Sequence, residues 1–172
     1  YISTIEIERS RKATRFIIKT SRPGLIIGRS GEGATKLKEE ILKKMDNLKL
    51  PRPEDFKLEI VEVANPEADA AIVAYMIAEG LEKRMPYRRV IKTIIEKVMT
   101  ARGVEGARIV LGGRLGGADI ARTEELKRGS IPLQSFRADI DFHRERATLS
   151  YGTVGIKVWI YRGKIFADRN VK

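Results

Sequence analysis

The spacing of apolar positions changes period several times along this chain, and each change marks an element. Residues 3–9 (STIEIER) and 14–20 (TRFIIKT) read as two short strands joined by the basic turn Ser10-Arg11-Lys12. Pro23-Gly24 stops the second strand, and Leu25-Ile26-Ile27 reads as a short apolar helical turn. After Gly31, Ala34, Leu37, Ile41, Leu42 and Met45 recur at intervals of three and four, one face of a helix. Glu39–Lys43 and Glu40–Lys44 fall on its solvent side. Lys49-Leu50-Pro51-Arg52-Pro53 is a loop, and Phe56, Leu58 and Ile60 alternate as a strand reaching about Val63.

Asn65-Pro66 pairs a cap residue with proline at the first helical position, so it marks both a boundary and a helix start. That helix is expected from 66 to about 84, with Glu67 and Asp69 in its first turn, until Met85-Pro86 interrupts it. A second covers about 87–102, with Val90, Ile91, Ile94, Ile95, Val98 and Met99 inward and Gly103 at its end. The remainder is β-rich. Ala107–Leu111 reads as a strand, Gly112–Gly117 as a glycine turn, and 120–131 as a polar strand. Phe136, Ala138, Ile140 and Phe142 alternate with Arg137, Asp139, Asp141 and His143, and Val154, Ile156, Val158 and Ile160 alternate in the same way.

Charge narrows the class. Lys and Arg outnumber Asp and Glu by 34 to 23 in 172 residues, a net +11, with a pI near 10.0 and a mean hydropathy of −0.27. A globular chain with that excess is a polyanion binder in the simplest reading. No cysteine is present, which excludes zinc fingers, disulfide frameworks and thiol catalysis. The longest strongly apolar stretch, Ala70 to Ala78, is far short of the ~20 residues of a membrane span, and no signal peptide is read. The chain opens at Tyr1 without methionine, so a preceding segment is expected.

Gly28-Arg29-Ser30-Gly31 then acquires meaning from its place between a short helix and a long one. A GXXG turn there is the loop by which KH domains clamp a nucleic-acid backbone. Glycine permits the turn and the close approach of a phosphate, and Arg29 adds positive charge. The order strand, strand, short helix, GXXG, helix, strand is that of a type II KH domain, whose usual leading helix would lie before Tyr1. The competing reading is a phosphate-binding loop over Gly28–Thr35, for a nucleotide-dependent enzyme. It lacks the lysine that must reach the terminal phosphates, since Ala34 stands there.

From 83 to 102 there are seven basic residues and one acidic residue, Glu96. Arg88 and Lys92 lie one helical turn apart with Arg89 beside them, and cations at a helix start oppose its macrodipole. A phosphate-bearing partner would offset that cost. Gly113-Arg114-Leu115-Gly116 repeats the GXXG letters after a strand, where it reads as a flexible turn. Arg114, Arg122, Lys127 and Arg128 nearby are further candidate contacts to RNA. Asp139, Asp141 and the only histidine, His143, share a strand face, but ion pairing with Arg137 and Arg144 accounts for them better than a metal or hydrolytic site. Trp159, Tyr151 and Tyr161 read as packing residues, with base stacking the alternative. No nucleophile–base pair is found, so no enzyme and no cofactor is expected.

RPGLIIGRSGEG, YRRVIK, GGRLGGADIARTEELKRGSIPLQSFRADIDF and LSYGTVGIKVWIYRG together resemble the bacterial-type ribosomal protein S-three family over nearly all of the chain. The resemblance implies an α+β fold, with a KH type II domain over 1–64 and a C-terminal domain over 65–172 that sets two helices on a mixed or antiparallel sheet. It implies a structural constituent of the small-subunit head, cytoplasmic and ribosome-bound, that binds rRNA and lines the mRNA entry channel. Arg88, Arg89 and Lys92 would then face incoming mRNA and assist its unwinding. Gly28, Arg29, Ser30 and Gly31 would hold RNA, and the protein neighbours would be small-subunit proteins ten, fourteen and two. The alternative is a free KH-type regulator or assembly factor that binds single-stranded RNA. The family's leading segment and basic tail are not matched by this sequence.

Overall fold

The computed structural model describes residues 1–10, 13–50 and 55–166. They form two compact units, divided between Ala64 and Asn65. Arg11 and Lys12 of the expected basic turn, and Pro51, Arg52 and Pro53 of the expected loop, lie outside the described residues.

The first unit runs β1 (Ile2–Arg9), β2 (Ala13–Thr20), α1 (Pro23–Ile27), a 3-10 turn (Arg29–Gly31), α2 (Glu32–Asn47) and β3 (Asp55–Glu62). Its sheet has the order β1-β2-β3, with β1 antiparallel and β3 parallel to β2. Parallel neighbours cannot be joined by a tight turn, so the chain between them must cross over, and α1 and α2 are that crossover. Register places Thr14 beside Phe56, Phe16 beside Leu58 and Ile18 beside Ile60. The rings of Phe16 and Phe56 are 5.1 Å apart, and Ile18 and Phe56 are buried. Ile5 and Ile7, opposite Ile18 and Phe16 on β1, stay 55% and 60% exposed, so the apolar layer closes over only part of this sheet face. Ala34, Leu37, Ile41, Leu42 and Met45 are the half-buried stripe of α2, the set picked out by their spacing.

The second unit runs through a 3-10 turn (Pro66–Ala68), α3 (Ala70–Glu82), α4 (Tyr87–Thr100), β4 (Gly106–Gly113), a 3-10 turn (Leu115–Gly117), β5 (Arg122–Gly129), β6 (Ala138–Leu149) and β7 (Gly152–Lys164). The sheet order is β5-β4-β7-β6 and every pairing is antiparallel, so of the two expected sheet types the antiparallel one is present. Helix α3 packs over β6 and β7, and α4 over β4 and β5. Between helices and sheet lies one core, in which Ile77, Ile95, Ile109, Leu111, Ile156 and Ile160 are fully buried. Helix α3 is alanine-rich and buried around most of its circumference, as a helix with no polar face must be.

The boundaries differ from expectation where a side chain intervenes. The Asn65-Pro66 start yields only the 3-10 turn, and α3 begins at Ala70. The reason is Asp69, whose carboxylate accepts from the Ala71 and Ile72 N–H groups at 3.0 and 3.1 Å and so caps the helix. At the far end α3 closes at Glu82, with Arg84 left-handed at φ 60° before Pro86. Gly112 and Gly113 belong to β4, which shortens the glycine turn to the residues after them.

A candidate nucleic-acid interface

In the GXXG turn, Gly28 has φ 70° and ψ −174°, a region essentially restricted to glycine. Ser30 and Gly31 follow with φ 52° and 82°, and Gly31 is the N-cap of α2. The turn is held from both sides: Gly28 N–H donates to the Gly24 carbonyl at 3.0 Å, and the Thr35 hydroxyl donates to the Gly31 carbonyl at 3.2 Å. Arg29 and Ser30 project outward and are exposed. The loop joins two helices, whereas a phosphate-binding P-loop leaves a strand, so geometry and the missing lysine both oppose the nucleotide reading.

Gly33 was not singled out by the motif, yet it decides the loop's shape. A Cβ there would lie 2.5 Å from the Ile26 carbonyl oxygen and 2.9 Å from that of Ile27. The start of α2 is thus pressed onto the carbonyl end of α1. Gly33→Ala is expected to force the two helices apart, at a cost of about 1–3 kcal/mol as for other overpacked sites. Urea unfolding of the full chain measures it, and an unchanged midpoint would contradict the close approach.

Arg88, Arg89 and Lys92 are brought together on the exposed start of α4, whose buried stripe of Val90, Ile91 and Ile94 fixes the rotation that turns them outward. Helix α4 has no acidic residue in its first turn and no side-chain cap. The three cations are not equivalent. Arg88 Nη2 meets Glu124 Oε1 of β5 at 3.2 Å, and the Tyr87 hydroxyl reaches the same oxygen at 3.3 Å. The hydrogen bond to Glu124, then the fields of Tyr87 and Glu124, hold the Arg88 guanidinium above its ordinary pKa. Among the described residues Arg89 and Lys92 have no ion-pair partner. Glu124 therefore eases part of the charge strain at this helix start. No local spacing could have revealed it, because it lies on another element.

The remaining candidates scatter. Arg114 is committed to structure: Nε donates to the Ala118 carbonyl at 2.9 Å, Nη1 to that of Tyr151 at 3.2 Å, and Nη2 to Asp119 Oδ1 at 3.0 Å. It ties the loop after β4 to the β6–β7 turn. Arg128 points to the helix side and pairs with Glu96 of α4 at 3.6 Å. Lys127 takes the opposite face of β5, and Arg122 is exposed at that strand's start. Asp141 is likewise spent on the fold. Its Oδ2 accepts from the Ala70 N–H at 2.9 Å and from Arg162 at 2.6 Å, with Arg162, not Arg137 or Arg144, as its cation. His143 Nε2 lies 3.9 Å from Glu145. No metal-binding cluster occurs among the described residues, and among them no helix is long and apolar enough to cross a membrane.

Residues 1–68 match the family model described as KH domain, and residues 77–160 match ribosomal protein S3, C-terminal domain. The chain is also 43% identical to the small ribosomal subunit protein uS3 of Clostridium novyi (strain NT), across 99% of this chain and 74% of the relative. The chain belongs to the ribosomal protein S3 family. The same protein of Clostridium botulinum (strain Okra) is 45% identical over 98% of this chain and 72% of its own length. That of Maridesulfovibrio salexigens is 46% identical over 95% and 73%. As an S3-family chain it is an RNA-binding, non-enzymatic component of the small ribosomal subunit.

Proposed function

We propose that this S3-family chain sits in the head of the small subunit, binds rRNA there, and lines the channel by which mRNA enters. Arg88, Arg89 and Lys92 are its mRNA-facing group and assist the opening of structured mRNA during translation. Gly28, Arg29, Ser30 and Gly31 hold an RNA backbone, with Lys127 and Arg122 as further rRNA contacts and Arg114 and Arg128 positioning the surfaces around them. Its neighbours are the small-subunit proteins numbered ten, fourteen and two, and its place is the cytoplasmic ribosome. The observation that carries the reading is the exposed pair Arg89 and Lys92, without ion-pair partners among the described residues, on a helix start that repels cations. Such an arrangement persists at a cost that bound phosphates offset, chiefly by releasing counterions.

Sedimentation of cell extract through a high-salt sucrose gradient tests the assignment. Stoichiometric migration with small subunits is expected. Protein stripped by salt and left at the top of the gradient would instead indicate a free RNA-binding regulator or assembly factor.

A further inference from the structure

The helices of the second unit cover one face of its sheet only. Ala107, Ile109, Leu111, Ile156 and Val158 point into the core, so the residues between them form the opposite face. Register aligns that open face into rows. In one row Phe142, Trp159, Arg108 and Lys127 follow one another across all four strands. Phe142 and Trp159 have ring centroids 5.0 Å apart, and the Arg108 guanidinium lies 4.9 Å from the Trp159 centroid. Phe142 keeps 49% of its surface exposed.

The next row sets Arg144 directly opposite Lys157, a like-charge pair that opposes sheet formation. Neither has an ion-pair partner among the described residues. One row further, Arg146 faces Gly155, and Gly155 faces Gly112, so a side-chain-free floor runs across two strands. A depression of about 500 Å³ opens there, lined by Arg144, Glu145, Arg146, Thr153 and Gly155. Both carboxylates at this surface are engaged: Glu125 accepts from Arg108 at 2.8 Å, a bond that holds it below the usual carboxylate range, and Glu145 Oε1 accepts from the Arg146 N–H at 2.9 Å.

We infer that this open sheet face is a second RNA-binding surface, on which a single-stranded segment stacks a base against Phe142 and lays its phosphates along Arg144, Arg146 and Lys157. The inference rests on the RNA-binding reading above and adds a surface to it. An exposed phenylalanine ring backed by the half-buried Trp159, with unpaired cations in the next rows, suits single-stranded nucleic acid, which offers π faces and negative charge together. An acidic polypeptide would satisfy the cations and leave the exposed ring and the bare glycine floor without a purpose.

Trp159 is the only tryptophan in the chain, so its emission reports on this face alone. The full chain is titrated with an unlabelled mixed-sequence single-stranded RNA, following tryptophan emission, and in parallel with the same RNA carrying a fluorophore, following anisotropy. Saturable quenching of Trp159 is expected. It should weaken by about tenfold or more in an Arg144→Ser, Arg146→Ser, Lys157→Ser triple variant, through the loss of phosphate contacts. Phe142→Leu, which keeps the charges, is expected to weaken it severalfold while circular dichroism stays unchanged. RNA binding that shifts anisotropy but leaves Trp159 emission unaltered would overturn the sheet surface and leave the general RNA-binding reading intact. Absence of any RNA binding would overturn both. Quenching by polyglutamate but not by RNA would make the occupant an acidic protein and overturn the proposal.

Discussion

Converting Arg88, Arg89 and Lys92 together to alanine is expected to flatten the salt dependence of RNA binding by about 2 units in the slope of log K against log salt. Each phosphate contact on a single strand contributes roughly 0.7 to that slope, and all three side chains stand exposed at the start of α4. The fold should survive. The core side of α4 is made by Val90, Ile91, Ile94, Ile95 and Val98, none of which is touched, and removing cations from a helix N-terminus relieves its macrodipole. Small subunits should still assemble with the variant, while reconstituted translation should slow on mRNA carrying a stable hairpin and stay near normal on unstructured mRNA. Arg89 and Lys92 are expected to account for more of the loss than Arg88, which must first leave Glu124. An unfolded variant, or one that reads hairpins as well as the parent, would sink the assignment of these residues to the entry channel.

Ile156→Ala is expected to cost about 2–5 kcal/mol in the stability of the second unit, the range for truncating a fully buried isoleucine. Ile156 is fully buried in the middle strand β7, opposite Leu111 on one side and Glu145 on the other, with the helices above it. The surrounding β-branched residues are held at χ1 and cannot easily collapse into the space. Since domains are stable by only about 5–15 kcal/mol, this one change should move the urea midpoint far, with Trp159 three residues away as the optical reporter. Ile120→Ala, at an exposed position of the same unit, is the matched control and should change stability by less than about 1 kcal/mol. Similar midpoints for the two variants would contradict the core described here.

Much of the first unit was legible in the sequence because its signals are local. The α2 stripe, the GXXG turn and the strand–helix order all follow from residues a few positions apart. What was not legible depended on partners far along the chain. The β6 alternation shows it best: the apolar set Phe136, Ala138, Ile140 and Phe142 invites burial, yet Phe136 is fully exposed and Phe142 faces away from the core. Asp141, His143 and Ala147 take the helix side instead. Alternation gives two faces without saying which one a helix will cover, and here α3 is anchored by Asp141 to the polar one. The same holds for charges. Arg88 finds Glu124, and Asp141 finds Arg162, across distances in sequence that no spacing rule spans. Arg114 is basic and sits among glycines, which invites a nucleic-acid contact, but no spacing shows the two carbonyl oxygens and one carboxylate oxygen that its guanidinium also meets.

The parallel pairing of β2 with β3 also sets when the GXXG loop is seated on its sheet. The β1–β2 hairpin joins near neighbours and can form early in synthesis, but β3 can pair only after the whole crossover has been made and its ends brought together. The GXXG turn lies inside that crossover. The turn's own hydrogen bonds are local and do not need β3, but α1 packs against that strand, so a nascent chain halted before Asp55 carries the turn without the strand on which its first helix is seated.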